Sequence, residues 1–297
     1  MVITHDEFRS PNDLRNLRIW LPDNYWQTEE RFPVTYFLDG QWVLGDPTTP
    51  TDPLADNAAE KDARRGTASA AHRRKAPKPV AAQTRRGLCL EDYLRTWHKP
   101  MIVVGVPSPE AEDERAAELC PWPARIRHTD IARASGAEFA DWLADVVKPH
   151  VDARLRTWSH REATAICGFS LSGMAAAYAT AARNDAFSKA GCLSPSARTW
   201  ERQLRREVAD AAHDRRLSPD TRVFLSFGSR ECGRKPQGGD PARTSQEALA
   251  ASRLAHALDT HGAANCVLCQ RGGRHRMSDW SRLTDAMMGF LWEARLP

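Results

Sequence analysis

Short apolar runs alternate with longer amphipathic stretches along the chain. Residues 17–21, LRIWL, alternate like a strand with one wet face. Residues 34–38, 101–106, 163–167, 189–193, 223–227 and 266–269 follow, several of them continuously apolar, as expected of strands covered on both faces. Between them lie helix candidates. Residues 137–148 put Phe139, Trp142, Leu143, Val146 and Val147 on one stripe. Residues 171–183 are small and alanine-rich, and residues 198–213, 245–259 and 279–294 complete the set. This βαβα alternation predicts an α/β fold, a mostly parallel central sheet with helices on both faces. No internal repeat interrupts it.

One segment departs from the pattern. Residues 46–86 hold only Leu54 and Val80 as bulky aliphatic side chains, with acids first and then Arg64, Arg65, Arg73, Arg74, Lys75, Lys78, Arg85 and Arg86. Too little apolar surface is available there to offset the entropy of ordering. The segment is read as a flexible insertion in a loop of a single domain spanning 1–297. A solvated excursion, a lid and a basic binding arm are its three readings.

Composition adds boundaries. A chain of 297 residues can bury a sizeable core, and a net charge of +4 is too small to imply nucleic acid. No run approaches the ~20 apolar residues a membrane span needs. MVITHDEFRS lacks a basic-then-apolar leader pattern, so a cytoplasmic protein is expected. Seven scattered cysteines suggest no disulfide framework. Cys266 and Cys269 have CxxC spacing but sit in a strand-like run, where residues three apart face opposite ways. They are read as two buried free thiols, not as a metal or redox pair.

The chemistry concentrates at the corner GFSLSG. An apolar run stops at Gly168, Ser170 follows, and a small-residue helix starts at once. A nucleophilic serine needs its hydroxyl clear of the backbone, and a sharp strand-to-helix turn achieves this if the flanking residues are small. Gly168, Ser172 and Gly173 satisfy the demand, although Ser172 stands where the G-x-S-x-G pattern has its last glycine. An N-capping serine in an ordinary βα turn is the competing reading. A serine needs a base, and the base an orienting acid. His275, between a strand and the last helix, fits the Ser–acid–His order better than the other nine histidines. Glu231, just past strand 223–227, is the candidate acid, and Asp240 is the fallback on the same loop. The backbone N–H groups of Gln41, after Asp39-Gly40, and of Leu171, at the helix start, are candidate oxyanion donors.

Together these stretches resemble the esterase family of α/β-hydrolases that contains enterochelin esterases, S-formylglutathione hydrolases, feruloyl esterases and mycolyltransferases. RIWLPDNY, PVTYFLDGQ, PMIVVGVPS with ERAAELCPW, AICGFSLSGMAAAYAT, AFSKAGCLSPSARTW, FLSFGSRE and GGRHRMSDW carry the likeness, in family order, over nearly the whole chain outside 46–86. It implies an α/β-hydrolase fold, a triad of Ser170, Glu231 and His275, an oxyanion hole at Gln41 and Leu171, and a site-facing Arg115. Trp42 and Trp200 are further candidates for contacting the substrate. No metal and no cofactor are expected. The Arg-x-x-Glu-Leu-x-Pro-Trp and GGRH regions are most similar to enterochelin-esterase-type enzymes, which hydrolyse catecholate siderophore esters. Arg230, Arg234, Lys235, Arg271, Arg274 and Arg276 would form a cationic rim for an anionic small-molecule ester. An acyltransferase on the same triad, or a binding protein acting through the basic insertion, are the alternatives.

Overall fold

A computed structural model describes residues 2–9, 14–44, 87–88, 90–126, 129–231, 240 and 245–296. Eight described strands form one sheet in the order β1-β2-β4-β3-β7-β8-β9-β10, with β1 Val2–Arg9, β2 Leu14–Trp20, β3 Val34–Leu38, β4 Ile102–Val106, β7 Thr164–Phe169, β8 Lys189–Leu193, β9 Arg222–Gly228 and β10 Ala264–Gln270. β5 Ala124–Ile126 and β6 Thr129–Ile131 make a separate two-stranded ribbon. From β4 to β10 every pairing is parallel, while β1 and β2 join antiparallel at one edge. The expected mostly parallel sheet is therefore present, with an N-terminal antiparallel edge that the sequence pattern did not announce.

The continuous apolar runs bury both faces, as a parallel sheet requires. Tyr36, Val104 and Ile166 point into a core shared with helices Gly136–Trp142, Leu171–Ala182 and Ala197–His213. Their neighbours Phe37, Val103 and Cys167 point into a second core with helices Leu90–Thr96 and Thr284–Glu293. All six are 0% exposed. At roughly 1.5–3 kcal/mol per fully buried large apolar side chain, these central strands supply much of the driving force for folding. Helix Leu171–Ala182 is apolar on every side and is buried along almost its whole length, which fits its place in the middle of the molecule.

Several expectations need correction. β2 has no fully wet face: Trp20 is 2% exposed on the side opposite Ile19. The helix expected over 137–148 is Gly136–Trp142, then a π-helical turn Leu143–Val147, then Lys148–Arg154. The wider turn moves Val146 off the apolar stripe, to 46% exposure. Cys266 and Cys269 are free thiols on a strand, but only half buried, because β10 is the last strand of the sheet. They lean on different apolar clusters, one on each face. The insertion 46–86, with Cys89, Cys232, Arg234 and Lys235, lies outside the described residues. Among the described residues no helix is long and apolar enough to cross a membrane.

Candidate active site

Parallel strands bring their carboxyl ends to one rim, so residues far apart in sequence follow neighbouring strands there. Ser170 follows β7, Glu231 lies just past β9, and His275 just past β10. β8, between β7 and β9, delivers Ser194, and β3, on the other side of β7, delivers Asp39 to Trp42.

Ser170 has φ 55° and ψ −120°, outside the comfortable regions for a side-chain-bearing residue. Such a conformation costs about 1–3 kcal/mol and persists only where its surroundings fix it. Here the Ser170 N–H donates to the Leu193 carbonyl at 2.9 Å, and the Ser170 carbonyl accepts from Met174 N at 3.2 Å and Ser196 N at 3.0 Å. The strand end and the helix start almost touch: a Cβ on Gly168 would lie 2.5 Å from the backbone of Ser172. Ser172, at the position of the pattern's second glycine, is fully buried. Its hydroxyl donates to the Phe169 carbonyl at 2.8 Å and accepts from Phe169 N at 3.1 Å. The departure from glycine thus adds hydrogen bonds that hold the corner shut.

His275 reaches both other candidates. Its Nε2 lies 2.7 Å from Ser170 Oγ, and its Nδ1 lies 3.2 Å from Glu231 Oε2. The imidazole is 36% exposed, whereas the Glu231 carboxylate is 6% exposed. Glu231 uses its other oxygen, Oε1, to accept from Gly228 N at 2.7 Å and from Ser194 Oγ at 2.6 Å. The loop carrying Glu231 and the loop carrying His275 are stitched together: Ser229 N donates to the Gln270 carbonyl, Arg230 N to the Gly273 carbonyl, and Gly272 N to Ser229 Oγ. A Cβ on Gly228 would sit 2.4 Å from the Gly273 carbonyl oxygen, so only glycine fits that crossing. The fallback Asp240 is exposed, and the carboxylate that meets His275 Nδ1 is that of Glu231.

The His275 loop is also pinned from beneath. Asp279, 2% exposed, accepts from Arg274 N at 2.9 Å and Arg276 Nε at 2.8 Å. The Arg276 hydrogen bond, joined by the Arg274 amide and the charge of Arg282, holds the Asp279 carboxyl below the usual carboxylate range despite its burial. Trp280 presents a ring edge-on to the imidazole at 4.9 Å and stacks on Phe169 at 5.0 Å.

On the β3 side, the left-handed residue is Asp39, with φ 58° and ψ 40°, rather than Gly40. Gly40 serves a different need: a Cβ there would lie 2.3 Å from the backbone of Gly105 on β4. Gly40 thus lets two backbones approach closely. Leu171 is the first residue of its helix, where an N–H has no acceptor within the helix. Asp39 is fully buried and accepts from Arg115 Nε at 2.7 Å and Nη2 at 2.5 Å, and from Ser108 Oγ at 2.6 Å. Ser108 N donates to Gln41 Oε1 at 3.0 Å. The Arg115 guanidinium sits 5.2 Å over the half-buried Trp42 ring. The fork of Arg115 is thus engaged by Asp39. Burial opposes its charge, but the Asp39 carboxylate outweighs that and raises its pKa further.

Trp200 requires a correction. It is 0% exposed, inside the core beneath its helix, and has no surface to offer a substrate. Ser194, Asp279, Trp280 and Asp39 are the residues sequence reasoning missed. All four lie in stretches that carry the family resemblance, but only the interval between Arg276 and Asp279, one helical turn, pointed to a contact of any of them.

Residues 9–291 match the family described as "Putative esterase". The chain belongs to this esterase family. It is a carboxylic ester hydrolase by that membership, and small-molecule esters are the substrates the family implies. A comparison with curated proteins finds no match. Among solved structures, an IroE-like serine hydrolase from Shewanella oneidensis superposes with a TM-score of 0.65 at 15% identity, covering 100% of this chain and 82% of the other. Siderophore hydrolase EstA from Aspergillus nidulans superposes at 0.61 and 17% identity, covering 99% and 95%. An S-formylglutathione hydrolase from Agrobacterium tumefaciens gives 0.55 and 13%, covering 98% and 94%. At these identities the structural likeness speaks for the α/β-hydrolase fold.

Proposed function

We propose that this esterase works through Ser170 as nucleophile, His275 as general base and Glu231 as the orienting acid. The observation that carries the reading is the unbroken chain from Ser170 Oγ to His275 Nε2 and from His275 Nδ1 to Glu231 Oε2. His275 takes the proton of Ser170 as the oxygen attacks the ester carbonyl. The Glu231 carboxylate stabilises the imidazolium that forms and holds the ring in the productive tautomer. The tetrahedral oxyanion is received by the N–H groups of Gln41 and Leu171. His275 then gives its proton to the departing alkoxide, leaving an acyl group on Ser170. Water, deprotonated by His275, releases the acid and restores the serine.

The substrate proposed is an anionic ester of the catecholate siderophore class. Arg230, Arg271, Arg274 and Arg276 are exposed on the loops that carry Glu231 and His275, and a cationic rim concentrates anions. Siderophore hydrolases among the structural neighbours agree with this choice. Trp42 offers an aromatic face beside the oxyanion loop, with Arg115 behind it.

A fluorophosphonate probe should label the wild type and leave Ser170→Ala unlabelled. Equal labelling of both would remove Ser170 from the mechanism. A hydrolysis screen with short acyl esters, feruloyl esters, S-formylglutathione and catecholate trilactones identifies the substrate. Preference for a neutral acyl ester over the trilactone would overturn the siderophore assignment. Transfer of the acyl group to an added alcohol in preference to water would mark an acyltransferase.

A further inference from the structure

We infer that Ser194 and Trp280 are positioning residues that fix the Glu231 carboxylate through a hydrogen-bond relay of one possible direction. This inference rests on the esterase reading above. An indole N–H can only donate. Trp280 Nε1 lies 2.8 Å from Ser194 Oγ, in a buried contact, so the hydroxyl oxygen accepts there. That leaves the single hydroxyl hydrogen of Ser194 to point at Glu231 Oε1, 2.6 Å away. The relay runs from Trp280 to Ser194 to Glu231, whose other oxygen meets His275.

Three further features support this role. Ser194 is 2% exposed and has φ 43°, a left-handed backbone that a serine does not adopt without compensation. Its N–H is held by Ser226 Oγ at 3.2 Å, which sets the hydroxyl on the side of the acid. Trp280 also meets the His275 ring edge-on at 4.9 Å. One indole therefore supports the imidazole with its ring and the carboxylate, through Ser194, with its N–H. Gly228 N supplies the second donor to Oε1, so the carboxylate is clamped from two sides and can turn only by breaking charge-assisted bonds.

Ser194→Gly removes the hydroxyl at a backbone position glycine favours, so the corner keeps its shape. Trp280→Phe keeps a six-membered aromatic ring in the pocket but removes the pyrrole half of the indole with its N–H. With the ester on which the wild type is fastest, Ser194→Gly should lower kcat about tenfold with KM unchanged, the loss expected for one hydrogen bond to a charged group. Trp280→Phe alone should lower kcat about threefold. In the Ser194→Gly background Trp280→Phe should cost clearly less than it does in the wild type, because the indole N–H there has no hydroxyl to hold. In thermal melting, Trp280→Phe should cost less in the Ser194→Gly background than in the wild type, since there the lost N–H no longer had an acceptor.

A kcat for Ser194→Gly within twofold of wild type would overturn the inference. So would losses that multiply in the double variant, or a loss confined to KM or to melting temperature. A wild type that neither hydrolyses any ester nor takes the fluorophosphonate probe would overturn the esterase reading and this inference together. A wild type that labels at full rate beside an equally fast Ser194→Gly would overturn this inference alone.

Discussion

Glu231 divides its two oxygens between two tasks. Oε2 faces His275, while Oε1 receives Gly228 N and Ser194 Oγ. An amide in its place has one accepting oxygen for three donors, so one end is left mismatched. Glu231→Gln should fold and should lose about 10³–10⁴ in kcat, measured by steady-state turnover, as expected when an imidazole loses its anionic partner. A loss below tenfold would point to another acid. Ser172 carries the opposite expectation. Its hydroxyl ties Phe169 N and O together but touches no member of the proposed triad. Ser172→Gly should lose about 1–2 kcal/mol in denaturant unfolding while keeping the rate of probe labelling at Ser170 within about threefold. Both residues were legible in the sequence as types at a spacing. The hydroxyl that braces Glu231 was not, because Ser194 lies 37 residues upstream of it and no local pattern ties the two.

The loops after β9 and β10 act as one unit. Backbone bonds join them, and Asp279 at the start of the following helix anchors the second. Because Arg276 holds the Asp279 carboxyl below its ordinary range, its contribution to stability is complete above the unfolded pKa, about 4. It is lost as pH falls through the depressed folded value. Asp279→Asn should therefore melt a few degrees below wild type at pH 7, and the gap should narrow as pH drops below about 4. A constant gap across that range would mean the carboxylate charge is not what holds the loop. Helix existence followed from the apolar period, but helix phase did not survive the π-helical turn at Leu143–Val147, which turned Val146 outward. A period of 3.6 cannot register one extra residue in a turn. Nor could it detect the edge strand Val2–Arg9, whose pairing with β2 is set by backbone bonds along the sheet edge.

At the scale of the molecule, exposed arginines cluster on the loops after β9 and β10 although the whole chain carries only +4. Such a local field should draw anionic esters and leave neutral ones alone. For an anionic ester, kcat/KM should fall as ionic strength rises from about 0.01 to 0.15 M, where the screening length shrinks from about 30 to 8 Å. A neutral ester of equal size should show no such trend. Equal slopes would separate the rim from substrate capture.

The sequence alone determined the α/β class, the strand runs at the centre, the corner at Ser170 and the chain order of Ser170, Glu231 and His275. All of these are written in local periodicity, small-residue spacing and order along the chain. Only the tertiary structure decided that Asp39 engages Arg115, that Trp200 belongs to the core, and that Trp280 and Ser194 stand behind the acid. Those contacts join residues up to 86 positions apart, such as Trp280 and Ser194. Their geometry follows from which strands lie side by side, and that adjacency is settled by the packing of the whole sheet.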